Sequence, residues 1–331
     1  MDWTLTTEPE LVEKLATTIN PFWQSQVTTG EFTGAGGVTV HYAWCIPEGA
    51  HTTVVISSGR IESLLKYKEL IYDLWHNGFA VFIPDHRGQG LSGRMTNDPQ
   101  HGFVHSFDDY VADLLTFVND IVRPQASGPL TLMCHSMGGA IGALTLLKAP
   151  DVFSRAVLAS PMFGVKPALP DWLASSLISA GLTLNRLRKK ESGYFFGQTP
   201  YVAYPYAINT LTHSEIRYRL FRELYDEDKR IQLGGVTTEW LRAAQEAMDT
   251  IEQQAGELSM PILLFSADED KIIDNKRQRR VAAKMPNAVV EIVDGGYHEL
   301  FTESDTLRTP VLQRAMSFLQ GDTTDETQAP V

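Results

Sequence analysis

Apolar positions along the chain follow two spacings in turn, and the alternation lays out the elements. Apolar runs at residues 52–57, 79–84, 129–135, 156–160 and 261–266 are short, nearly unbroken and bounded by turn-forming residues. Runs of that length have no polar face, so each reads as a strand covered on both sides. Residues 38–45, which follow the turn Gly34-Ala35-Gly36-Gly37, and residues 288–292 add two more strands. Elsewhere apolar residues recur every three or four positions, as in Tyr67, Leu70, Ile71, Leu74 and Trp75, a helix that Asn77-Gly78 closes. The same spacing predicts helices over 106–122, from Ala140 onward, over 276–285 and over 309–319, with a short one over 11–19. Strands alternating with helices predict a parallel sheet with helices on both faces. The alternation stops after residue 160. Residues 164–256 are helical or irregular, rich in aromatics and without a convincing strand, and strands resume at 261. The expected class is α/β: a mostly parallel central sheet built from residues 1–163 and 257–320, a helical cap of residues 164–256 inserted in its middle, and a polar tail over 321–331.

One junction departs from ordinary spacing. The run Leu132-Met133-Cys134-His135 stops at Ser136, and beyond Met137-Gly138-Gly139 a helix of small and apolar residues starts with no loop between. A strand that turns straight into a helix holds its corner residue in a sparsely populated backbone conformation and exposes the side chain. Small neighbours are needed because strand and helix approach closely there, and the helix directs its first amides at whatever the serine attacks. Residues 134–138 resemble the nucleophile elbow Gly-x-Ser-x-Gly of the α/β-hydrolases, with Cys134 standing where the first glycine is expected. Taken alone, the corner leaves room for the plainer alternative of an ordinary strand and helix with an incidental serine.

Other strand ends decide between the two. Ligands of an open parallel sheet bind beyond the carboxyl ends of its strands. Ser136 lies at one such end, Asp268 and Asp270 follow the strand 261–266, and His298 sits in Gly295-Gly296-Tyr297-His298. The order serine, aspartate, histidine is that of an α/β-hydrolase triad. A serine hydroxyl needs an imidazole to take its proton, and the imidazole needs a carboxylate to fix its tautomer and stabilise its charge. Asp270 is the preferred acid because Ile272-Ile273 would anchor its loop, with Asp268 as the competitor. Each residue has a plainer reading, Asp270 as a helix cap and His298 as a satisfied loop histidine. A tetrahedral intermediate also needs two amide donors. The backbone N–H of Met137, after the nucleophile, is one; that of Arg60, exposed by the small turn Ser58-Gly59, is the other. His86 and Arg87 read as braces of the neighbouring loop.

Charge narrows the partners. A formal net charge of -12 argues against nucleic acid, which requires a basic face. Only Cys45 and Cys134 are present and both read as reduced thiols. The first residues carry no basic and apolar export signal, and no apolar run reaches the ~20 residues that span a bilayer. No residue cluster has metal-ligand spacing and no phosphate-cradling Gly-rich loop is present, so neither a metal nor an organic cofactor is expected. The expected location is cytoplasmic.

The segments Gly59-Arg60-Ile61-Glu62-Ser63, Asp85-His86-Arg87-Gly88-Gln89-Gly90, His135-Ser136-Met137-Gly138-Gly139-Ala140 and Gly296-Tyr297-His298-Glu299 together resemble the lysophospholipase and monoacylglycerol lipase group of α/β-hydrolases. Relatives often carry His-Gly where this chain has Ser58-Gly59. In the cap, Pro205-Tyr206-Ala207-Ile208-Asn209 and Leu211-Thr212-His213-Ser214 are similar to the bacterial lysophospholipase L2 proteins. The resemblance implies hydrolysis of the fatty-acyl ester of a lysophospholipid, with a monoacylglycerol lipase or general carboxylesterase as the alternative; the residues by themselves support a serine acyl hydrolase. A non-catalytic binding protein of the same fold is the rival from another class. In the cap, Arg217 and Arg219, with Arg222, could meet a phosphate or form surface ion pairs. An apolar stripe of Leu169, Trp172, Leu173, Leu177, Ile178 and Leu182 runs into the basic Arg186, Arg188, Lys189 and Lys190. That arrangement suits either peripheral contact with the inner face of the cytoplasmic membrane or a cap helix packed on its own core.

Overall fold

The strands form one eight-stranded sheet: β1 (Thr28–Thr33), β2 (Thr39–Cys45), β3 (Thr52–Ser57), β4 (Phe79–Pro84), β5 (Leu130–His135), β6 (Arg155–Ala159), β7 (Ile262–Ala267) and β8 (Ala288–Val293), ordered β1-β2-β4-β3-β5-β6-β7-β8. The computed structural model describes residues 3–167, 170–187 and 192–321. β4 through β8 run parallel in that order, while β1 and β2 join antiparallel at one edge. Every residue of β3, β4 and β7 is buried, as the unbroken apolar runs require. β1 has no counterpart in the apolar pattern. It is an edge strand with most side chains in solvent and only Phe32 turned onto Tyr42 and Phe117, so it needs no apolar periodicity.

Helices cover both faces. α1 (Glu8–Lys14) passes through a wide turn at Leu15–Ile19 into α2 (Asn20–Gln26), so the N-terminal helix outlasts the expected 11–19, Pro21 being tolerated near the start of α2. α1, α2 and α3 (Lys68–His76) lie on one face together with the last helix of the chain. α4 (Phe107–Thr116) and α5 (Met137–Lys148) lie on the other. Between β6 and β7 come α6 (Asp171–Leu187), α7 (Glu215–Glu227) and α8 (Thr238–Gln254), and after β7 comes α9 (Asn275–Ala282). α10 (Asp305–Gln320) closes the chain. It begins before the expected 309, carrying Pro310 inside it.

Among the described residues, the segment inserted between β6 and β7 adds no strand to the sheet; isolated bridges join Gly102 to Val236 and Tyr194 to Thr237. Its last helix is not peripheral. Trp240, Ala244, Ala247, Met248 and Ile251 of α8 are buried in the same core as α4 and α5. α6 packs on α8 in turn, burying Ile178 and leaving Trp172 71% exposed. Leu169, Arg188, Lys189, Lys190 and the tail from 322 lie outside the described residues. Among the described residues no helix is long and apolar enough to cross a membrane.

Candidate active site

Parallel register places the ends of β3, β5, β6 and β7 side by side, Ser57 against Cys134, His135 against Ala159 and Ala159 against Phe265. Ser136 stands at the centre of that edge with φ +50° and ψ −116°. A residue with a side chain holds a positive φ of this kind only where its surroundings impose it. Here the Ser136 amide donates to the Ala159 carbonyl (3.0 Å), and its carbonyl accepts from Met162 and Gly139 (2.9 Å each). α5 lies so close to β3 that a side chain on Gly138 would collide with the Ser57 carbonyl. Cys134 fits in place of glycine because Gly142 on α5 makes room: a Cβ there would lie 2.6 Å from the Cys134 sulfur.

The three residues expected at the strand ends meet. His298 Nε2 lies 2.9 Å from Ser136 Oγ, and His298 Nδ1 lies 2.7 Å from Asp270 Oδ2. The other Asp270 oxygen accepts from the amides of Ile272 (2.7 Å) and Ile273 (2.9 Å). Burial alone would raise the Asp270 pKa, but the His298 bond and charge, with those two amides, hold it below the ordinary value. Asp268, two residues earlier, points the other way: its side chain is half-exposed and pairs with Arg279 at 3.4 Å. All three members of the line are buried, Ser136 being 7% exposed. Met137 is the first residue of α5, so its N–H has no partner inside the helix.

Around this line runs an ionic network that the motif reading passed over. Glu62 accepts from the Gly59 amide and the Tyr67 hydroxyl, and its Oε2 is 3.1 Å from His135 Nδ1. Lys66 Nζ lies between Glu62 (2.8 Å) and Glu299 (2.7 Å). His135 Nε2 faces the His298 carbonyl at 3.2 Å. Both neighbours of the His135 ring are acceptors, so both ring nitrogens must carry protons. Burial opposes that charge, and the Glu62 carboxylate more than offsets it, leaving the His135 pKa raised. Two cations and two carboxylates thus tie together the loop after β3, the residue before the nucleophile and the residue after His298. The available signal was the i, i+4 spacing of Glu62 and Lys66 and the position of Glu299 directly after His298. His86 and Arg87 brace as expected: His86 Nε2 meets Ser57 Oγ at 3.0 Å, and Arg87 grips Asp113 through Nε (2.6 Å) and a second nitrogen (2.7 Å).

The cap arginines are placed differently. Arg217 is buried and committed to Glu69, Asp305 and the backbone carbonyls of Glu303 and Thr6. Four of its five N–H groups are so occupied, and two carboxylates already neutralise its charge, which speaks against the phosphate expected of Arg217. Arg219 is 57% exposed and pairs loosely with Glu223 at 3.6 Å on the outer face of α7, so it too is no part of an enclosed site. Arg222 stacks on Tyr218 and Phe221. Within the candidate oxyanion loop itself stands the half-buried Arg60. Its neighbour Ile61 holds φ +65°, with the Ile61 carbonyl bonded by the Tyr225 hydroxyl.

Residues 48–305 match the family model described as serine aminopeptidase, S33. The chain is 38% identical over 310 residues, 91% of its length and 89% of the relative's, to a protein of Escherichia coli (strain K12) named lysophospholipase L2. It is 31% identical to a probable lysophospholipase L2 of Haemophilus influenzae, covering 90% of this chain and 94% of that one. In fold it is similar to a soluble variant of monoglyceride lipase from Saccharomyces cerevisiae, with TM-score 0.67 and 18% identity, over 90% of this chain and 96% of that one. The strand order, the strained corner at Ser136 and the match across most of the sequence agree, and the chain belongs to the serine aminopeptidase S33 family of α/β-hydrolases.

Proposed function

We propose that this protein hydrolyses the fatty-acyl ester of lysophospholipids through an acyl-enzyme on Ser136. The observation that carries the reading is the unbroken line from Asp270 through His298 to Ser136; the names of the relatives supply the substrate class. Ser136 Oγ attacks the acyl carbonyl while His298 Nε2 takes its proton, and Asp270 holds the Nδ1–H and stabilises the imidazolium. The oxygen that becomes negative is received by the amides of Met137 and Arg60. His298 returns the proton to the departing glycerophospho alcohol. A water then attacks the acyl-enzyme by the same route and releases the fatty acid. Residues 164–256 act as the cap over this edge, with α8 its base on the core and the residues before α8 the part that meets lipid. A monoacylglycerol lipase or a general carboxylesterase would use every one of these steps and differ only in the head group. Two measurements test the reading: fluorophosphonate labelling of Ser136, and turnover of lysophosphatidylethanolamine beside a monoacylglycerol of the same chain. Label absent from Ser136 overturns the mechanism; turnover of the monoacylglycerol alone overturns the substrate.

A further inference from the structure

Arg60 is a half-buried cation whose charge has no carboxylate partner among the described residues. Its guanidinium donates to the Gly234 carbonyl, in the loop before α8, and lies 5.5 Å from the Trp240 ring. Its Nε–H is closed off from solvent and has no acceptor. Burial pulls its pKa down to about 10, opposed by the Tyr110 and Tyr194 hydroxyls rather than by any acid. A partly desolvated charge with an unpaired donor calls for an acceptor in the working state, and an anion satisfies both the donor and the charge. A second orphan adjoins it. The guanidinium packs against Gly102, and the neighbouring His101 has a buried Nδ1 with no partner. The other nitrogen of His101 lies 3.4 Å from Asp98, at the solvent rim, and its ring meets Tyr194 edge-on at 4.5 Å.

The position gives this pair of orphans a meaning. The Arg60 amide is the oxyanion donor in the mechanism above, so the Arg60 side chain starts beside the reacting carbonyl. In a lysophospholipid the phosphodiester is joined to the acyl ester through the glycerol carbons. A single residue can therefore address both groups, its amide the acyl oxygen and its planar fork the phosphodiester. We propose that the Arg60 guanidinium, with His101 beside it, is the subsite for the substrate's phosphodiester, and that it separates lysophospholipid from monoacylglycerol. The proposal rests on the lysophospholipase reading.

The test uses Arg60→Met, which keeps the peptide N–H and most of the side-chain volume, with Arg60→Lys and His101→Gln beside it. The ratio of kcat/KM for lysophosphatidylethanolamine to that for a monoacylglycerol of equal chain length should fall roughly 10- to 100-fold in Arg60→Met, as expected for a lost bond to a charged group. Arg60→Lys should fall less, and His101→Gln by a few-fold. Glycerol 3-phosphate should inhibit monoacylglycerol turnover by the unaltered enzyme and lose that inhibition in Arg60→Met. Equal losses on both substrates would make Arg60 a mere tie between loop and cap and overturn the proposal; so would an unchanged ratio. If Arg60→Met does not fold, the ratio and the inhibition constant of Arg60→Lys decide in the same way. Should the unaltered enzyme cleave only the monoacylglycerol, the lysophospholipase reading fails by itself, and the glycerol 3-phosphate arm still decides whether Arg60 binds phosphate.

Discussion

His298 has one nitrogen on a carboxylate and the other on a serine hydroxyl, and that single ring sets the scale of what each neighbour contributes. Ser136→Ala and His298→Ala should each lower kcat on a soluble acyl ester by on the order of 10³-fold or more with the fold intact. Asp270→Asn should lose less than either, and Asp268→Asn should stay within a few-fold because its carboxylate faces Arg279. A larger loss at Asp268 than at Asp270 would overturn the assignment of the acid. Asp85 carries a different consequence. It is buried where the loops after β3 and β4 meet, accepting from the amides of Leu64 (2.6 Å) and Leu91 (2.7 Å). Burial pushes its pKa up to about 7 against those two bonds. An unfolded aspartate titrates near about 3.9, so between these values the folded chain holds a proton that the unfolded chain has lost. That contribution to stability is complete below the lower value and disappears as pH rises through the upper one. Melting temperatures of Asp85→Asn should therefore decline less between about pH 4 and 7 than those of the unaltered chain, and parallel curves would count against it.

At the scale of elements, the loop after β3, the β5–α5 corner and the loop after β8 touch one another through charges as well as through the apolar packing of Leu64, Leu300 and Phe301. Lys66 is the keystone: its side chain is 4% exposed and stands between Glu62 and Glu299. Burial would lower its pKa, but the Glu299 and Glu62 charges raise it, so it stays a cation. Lys66→Met leaves two buried carboxylates facing each other, a loss of about 3–5 kcal/mol for breaking such a pair. Glu62 also fixes Gly59 and His135, so the same change should disturb the oxyanion loop and lower kcat more than it alters KM. Calorimetry and steady-state kinetics on Lys66→Met and Lys66→Arg check this, with Arg recovering part of both losses. Full kcat in Lys66→Met would reduce the network to a structural tie.

At the scale of the whole molecule, six of the ten exposed large apolar side chains among the described residues belong to one stretch of chain, the others being Val12 on α1 and Val289, Val290 and Ile292 on β8. Trp172, Leu187, Phe196, Val202, Tyr204 and Ile208 are all at least 47% exposed and all belong to the segment between β6 and β7. A contiguous stretch of chain with that surface, in a protein of net charge -12, suits contact with lipid where the cations Arg186, Arg188, Lys189 and Lys190 are concentrated. Cations near an anionic bilayer contribute about 1 kcal/mol each and are screened by salt. Replacing those four by Gln should weaken co-sedimentation with phosphatidylglycerol vesicles at low salt and slow hydrolysis there. Turnover of a short soluble ester should barely change. Equal vesicle binding by both forms would leave the basic run as a solvated face, and equal loss on both substrates would make it part of the cap's own packing.

Short-range pattern alone was enough for the buried strands, the abrupt corner at Ser136 and the chain order of Ser136, Asp270 and His298. A strand covered on both faces has no polar positions, and a strand that turns into a helix without a loop leaves its mark in five residues. The edge strand β1 left no such mark, because a strand in solvent is under no apolar constraint. The apolar pair Ile272-Ile273 favoured Asp270 over Asp268, two residues apart on one loop, but only the folded turn shows the difference between them, aiming one at Arg279 and the other at His298. Sequence spacing could not distinguish the arginines. Arg217 was consumed by Glu69 and Asp305, 148 and 88 residues away, while Arg60 was left half-buried without a carboxylate among the described residues. What a charged side chain can do depends on which distant partners the folded chain brings within about 4 Å, and that is a property of the tertiary structure alone.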